Sequence, residues 1–161
     1  MDLINCIYGG ENVGISCTDV QSKTLEVLMK SSILNGYVSR YDIGETGAAR
    51  KIFPYVTVAE VTSDVAPLCI GKEAPCINNY RIVVKCGTFH LLPEIAREGG
   101  EGGKKGIVQL ADDVVSTLFP CDLDGLFSPS VHLQQVSVDE RPESGGKCWE
   151  ATIVLYGSCK E

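Results

Sequence analysis

The sequence is short of the residues from which reactive centres are built. It carries two histidines, one tryptophan and two methionines in 161 residues, and both histidines, His90 and His132, stand apart from any cysteine cluster. No Cys-x-x-Cys pair occurs, and the tightest cysteine spacing, Cys69 to Cys76, leaves six residues between the two. The short ligand spacings of a structural zinc site are therefore missing. No run approaches the roughly 20 consecutive apolar residues that span a bilayer, so no membrane partner is expected. The opening Met1-Asp2-Leu3-Ile4-Asn5 lacks the basic and apolar regions of an export signal, and the expected folding compartment is a cytoplasm. Positive charge is scarce too: 14 Lys and Arg against 21 Asp and Glu give a net charge of −7. That balance argues against a general nucleic-acid binder, while leaving room for a local basic patch.

What is present suffices for a core. With 44% apolar residues over 161, the chain reads as one domain, 1–161, that removes about two thirds of its unfolded surface from water. It has eight cysteines: Cys6, Cys17, Cys69, Cys76, Cys86, Cys121, Cys148 and Cys159. A chain of this size needs no disulfide staples, and without an export signal they read as free thiols used as small apolar groups. Cys86 fits best, inside an apolar strand-like run.

Residues 1–17 are broken by Gly9-Gly10 and Gly14 and suit an extended arm, a short strand, or a segment ordered by a neighbour. Thr18-Asp19-Val20-Gln21 has the spacing of a capping box and opens a helix. Leu25, Leu28, Met29 and Ser32 form its buried stripe, widened by Val20, Val27 and Leu34. Asn35-Gly36 suggests a left-handed cap at its end. Tyr37 to Arg50 reads as a loop with room for a short strand. Phe53 to Val61 is β-branched and aromatic, a strand with Pro54 at its start or on an edge. Residues 62–78, with Pro67, Gly71 and Pro75, read as a long loop. In Tyr80 to Phe89 the positions Tyr80, Ile82, Val84 and Cys86 share one apolar face. Pro93 ends that region, and Glu98 to Gly106 is a flexible, charged connection. Ile107, Leu110, Ala111, Val114 and Leu118 keep helical spacing up to Pro120. Val131 to Glu140 and Trp149 to Tyr156 alternate as two closing strands around a turn. The expected fold class is α+β: a mainly antiparallel sheet of about four strands with two main helices packed on it.

No segment completes a catalytic or cofactor pattern. From Gly99 to Gly103-Lys104 there are three intervening residues where a phosphate loop needs four, and Lys105 stands where that loop needs a hydroxyl. Asp112 and Asp113 fall on the polar side of a helix, and Asp122 and Asp124 precede Gly125 in a turn; neither set completes a calcium loop. A cysteine nucleophile needs a thiolate, a base and an orienting group, which spacing alone does not bring together. The expectation is a non-enzyme with no catalytic residue, no cofactor and no metal.

The element order does carry a resemblance. A helix ending at Asn35-Gly36, the strand Phe53 to Val61, a long loop, the strand Tyr80 to Thr88, the helix Ile107 to Leu118, and the pair Val131–Glu140 with Trp149–Tyr156 resemble the tail-terminator, or tail-completion, proteins of long-tailed bacteriophages, the lambda-like minor tail proteins among them. The likeness is one of architecture over most of residues 18–158 and rests on no short motif. The cysteines, segment 1–17 and the long loops have no counterpart in it. The resemblance implies a virion protein assembled in the host cytoplasm as a homohexameric ring at the tail–neck junction. Such a ring ends tail-tube polymerisation, meets the neck or head-closure protein, and lets genomic DNA pass its lumen without specific binding. Contacts are then expected from the loops, at Asp64, Lys72 and Glu73 and at Arg97, Glu98, Glu101, Lys104 and Lys105, whose mixed signs suit oriented subunit contacts. The alternatives are another neck component (a head-closure or connector protein), a cellular interaction module, and a small cysteine-dependent enzyme.

Overall fold

The computed structural model describes residues 16–44, 52–67, 76–100, 104–119 and 132–160. In chain order these form α1 (Cys17–Met29), α2 (Ser32–Asn35), β1 (Arg40–Ile43), β2 (Tyr55–Pro67), β3 (Cys76–Phe89), α3 (Pro93–Glu98), α4 (Ile107–Leu118), β4 (His132–Glu140), a 3₁₀ turn (Pro142–Ser144) and β5 (Cys148–Lys160). The strands make one five-stranded sheet in the order β1-β2-β3-β5-β4. All neighbours are antiparallel except β1, which runs parallel to β2. The α+β class therefore holds, with one strand more than the pattern showed.

The alternation in β3 and β5 sets the faces. Tyr80, Ile82, Val84 and Cys86 are fully buried together with Ala151, Ile153 and Leu155, all on the side where the helices pack. On α4, Ile107, Leu110, Ala111, Val114 and Leu118 are the buried residues, the same stripe that the helical spacing predicts. α4 lies across β3, β5 and β4, and α1 across β2 and β1.

Four boundaries differ from expectation. α1 is capped by Ser16, not Thr18: the Ser16 hydroxyl accepts from the Asp19 amide at 3.0 Å, and the Asp19 carboxylate accepts from the Ser16 amide at 3.3 Å. Cys17 is thus helical, and the rest of segment 1–17 lies outside the described residues. The buried face of α1 is Val20, Thr24 and Leu28, with Leu25 partly buried and Met29 exposed. The helix does not continue to Gly36. It stops at Lys30, and the Ser31 hydroxyl caps a new turn at Leu34; Gly36 then sits at φ −68°, an ordinary right-handed conformation.

The segment 62–78 is not a long loop. β2 and β3 continue as a hairpin through the pair Pro67 and Cys76, so only residues 68–75, outside the described residues, connect them. Polar residues such as Asp64 and Asn79 are held in strand by ladder pairing, which overrides their weak β preference. Pro93 opens a helix where it was expected to end a region, because its fixed φ and missing N–H suit a first helical turn.

Four rows of cross-strand partners run the full width of the sheet, and two of them bound the set. One is Arg40–Tyr55–Gly87–Glu150–Asp139, and the other is Ile43–Val58–Val84–Ile153–Val136. Both end on exposed strand edges, since β1 and β4 each have a single strand neighbour among the described residues.

Candidate functional site

One end of the sheet is built around Glu150. Its carboxylate accepts from the Tyr55 hydroxyl and lies 3.2 Å from Nη2 of Arg141. Burial first, and then the bond to Glu150, push the Tyr55 phenol far above its ordinary pKa. The Tyr55 ring occupies the space over Gly87, where a Cβ would overlap it. This clamp ties β2, β5 and the turn after β4 together, and its groups are engaged with one another.

Beside it lies a cleft of about 270 Å³ lined by Tyr37, Pro54, Phe89, His90, Ile95, Ala96, Lys104 and Lys105. Tyr37 donates to Asp113 at 2.5 Å, and burial followed by this bond raises its pKa well above the usual range. The Lys105 ammonium sits 5.7 Å from the Tyr37 ring centroid and 3.7 Å from the Asp113 carboxylate. Lys104 Nζ lies 3.4 Å from Nε2 of His90. Apolar residues stand beside it: Phe53 packs at a tilt 5.8 Å from the lining residue Phe89, and Ile52, Leu91 and Leu92, neighbours in sequence of Phe53 and His90, are exposed with Phe89, all at least 48%.

The predicted contact residues divide. Lys104 and Lys105 line this cleft. Arg97 follows the lining residue Ala96 and holds its guanidinium 5.5 Å from the Trp149 ring centroid. Glu98 is exposed at the end of α3. Asp64 is in β2, at the far end of the sheet, in a shallow groove with Arg81 and Tyr156. The structure therefore does not bring Asp64 together with Arg97, Lys104 and Lys105. Lys72, Glu73 and Glu101 lie outside the described residues, as do Asp122 and Asp124. The apolar residues beside the cleft were missed, although Leu91-Leu92 just ahead of Pro93 was a readable signal.

A second apolar surface lies along β4. Asp113 and Thr117 hold one flank of α4 to Tyr37 and Ser31. The 3.6-residue turn puts Val108, Val115 and Phe119 on the other flank, toward β4. Val108 and Phe119 are 43% and 40% exposed, and Leu133 and Val136 on β4 are 37% and 42% exposed.

Among the described residues no group of three or more His, Cys, Asp or Glu is placed to hold a metal, and no helix is long and apolar enough to cross a membrane. Cys17, Cys86 and Cys148 are free thiols. Burial, with the charge of Glu150 second, raises the Cys86 thiol far above its ordinary pKa, the opposite of an activated nucleophile. Iodoacetamide on the native protein is expected to label Cys86 on the order of a hundredfold more slowly than Cys17 or Cys148. Peptide mapping by mass spectrometry reads this, and equal rates would show that the core opens readily.

No family model and no curated protein matches the sequence. Among solved structures, the fold matches a chain of the virion of a native gene transfer agent (GTA) particle, with a TM-score of 0.55 and 15% identity. The match covers 88% of this chain and 95% of that one. At that identity the likeness is one of fold, and it spans nearly the whole of both chains.

Proposed function

We propose that this chain is a structural virion protein of a phage-like particle, and that it acts as a tail terminator: a ring that caps the head-proximal end of the tail tube and presents a surface to the neck. The observation that carries the reading is the fold shared with a chain of the GTA virion over 88% of this chain. The element order supports the same reading, and so do two exposed apolar surfaces and edge strands that have a single neighbour each among the described residues. The mechanism is physical. A ring whose one face matches a tube subunit, and whose other face does not, halts the stack without chemistry. Its partners are then its own copies in a homohexamer, the tail-tube protein and a neck or head-closure protein, with DNA passing through unbound.

The test is to add the purified protein, reduced, to growing tail-tube oligomers and to measure mass and tube length. A species near six chains, alone or on the tube, together with arrested growth, supports the terminator. A ring that leaves the tube growing points to the head-closure or connector alternative. A monomer that ignores the tube rejects both.

A further inference from the structure

We propose that copies of this chain join through their sheet edges, β4 of one copy pairing antiparallel with β1 of the next, with Val136 opposite Ile43 and Asp139 opposite Arg40. The proposal rests on the ring reading above and names the surface that builds it.

The argument starts from the cross-strand rows. β1 is parallel to β2, and β4 is antiparallel to it through β3 and β5, so β1 and β4 run in opposite directions at the two edges of the sheet. Copies standing side by side with their strands along a common axis therefore present β4 to a neighbour's β1 as an antiparallel pair. The row that ends in Val136 begins in Ile43, and the row that ends in Asp139 begins in Arg40. Continuing each row across the junction sets apolar against apolar, with Ile43 48% and Val136 42% exposed, and cation against anion. The two positions between them pair Val138 with Tyr41 and Ser137 with Asp42, a contact between partly buried apolar groups and one between a hydroxyl and a carboxylate.

Chemical agreement at successive positions is the second observation. It would be lost with a one-residue slip, which turns every side chain to the other face. Arg40 has its own pair, Asp42 at 2.5 Å, yet remains 38% exposed at the edge and able to meet a second carboxylate. Asp139 is exposed. Neither β1 (Arg-Tyr-Asp-Ile) nor β4 (His-Leu-Gln-Gln-Val-Ser-Val-Asp-Glu) carries the proline or lysine that commonly protects an open edge. The bulge between Leu133 and Gln135 falls just beyond the matched window, where Gly44 ends β1 on the other side. Because the two edges differ, the contact is heterologous, the kind that closes into a ring when the rotation from copy to copy divides a full turn. A second copy is the fitting occupant, since it alone is bound to carry the matching row.

The test uses the full chain with Asp139→Lys, Arg40→Glu and both together, with oligomer mass measured across concentration, on tail-tube oligomers if the wild type closes only there. Each single variant is expected to weaken association between copies about tenfold or more, and the double variant to return within about threefold of wild type. Single variants that assemble like wild type overturn the edge contact and leave the ring reading standing. A double variant as weak as either single overturns the register. A wild type that forms no ring, alone or on the tube, overturns this proposal and the ring reading together. Should Arg40→Glu unfold through loss of its Asp42 pair, Val136→Lys with Ile43→Glu tests the same register in the neighbouring row.

Discussion

Gly106→Ala is expected to lower stability by about 3 kcal/mol, at the upper end of overpacking costs. Gly106 is the residue before α4, and a Cβ there would overlap the carbonyl of Arg97 and the amide of Gly99. Both are backbone atoms at the end of α3, so no side chain can turn aside to make room. Gly99 is itself held at φ +85°, which restricts how far that segment can yield. The Gly106 amide also donates to Gln109 at 3.0 Å, and any retreat of α4 strains that bond. For a chain of this length the loss corresponds to a fall in Tm of roughly 6–12 °C. Thermal unfolding followed by circular dichroism measures it; a shift under about 2 °C would mean that α3 and α4 are less closely joined than described.

Leu110→Ala carries the second large effect, an expected loss of about 3–4 kcal/mol from the transfer of its side chain and the cavity left behind. Leu110 is completely buried where α4 meets the sheet, in one cluster with Val84, Ile153 and Leu28. Val108, two residues earlier on the same helix, is 43% exposed and supplies the control. Val108→Ala is expected to change stability of the monomer by no more than about 0.5 kcal/mol. Urea titration of both variants decides the matter, since equal losses would mean that the assigned faces of α4 are wrong.

The sequence made legible those elements whose pattern reports a single dominant contact. α4 packs one stripe on one sheet, so its five buried residues follow the helical period. β3 and β5 bury one face under the helices, so period-two alternation marks it. The misread segments are those in which two local signals compete. Ser16 and Thr18 both suit a cap, and only the Asp19 carboxylate reaching back to the Ser16 amide decides between them. The polar stretch 62–67 resembles a loop until its partner strand supplies the ladder bonds. β1 is four residues long, too short for any period to emerge. The cleft was half legible. Lys104 and Lys105 were singled out for their charge and do line the cleft, whereas the apolar residues at and beside it passed unnoticed because Ile52, Phe89, Leu91 and Leu92 are scattered in sequence.

The sheet order has a consequence for synthesis. β5, the last strand in the chain, lies between β3 and β4. While the ribosome is still working, β2 and β3 can form their hairpin, but β4 emerges with nothing to pair against. The sheet closes only when residues 148–160 arrive and bridge two strands at once. A chain cut short before that point keeps one edge of β3 bare and leaves β4 unanchored, the kind of exposed strand that draws chaperones and proteases. The strand order thus makes residues 148–160 a condition of sheet closure: without them nothing joins β4 to β3 among the described residues.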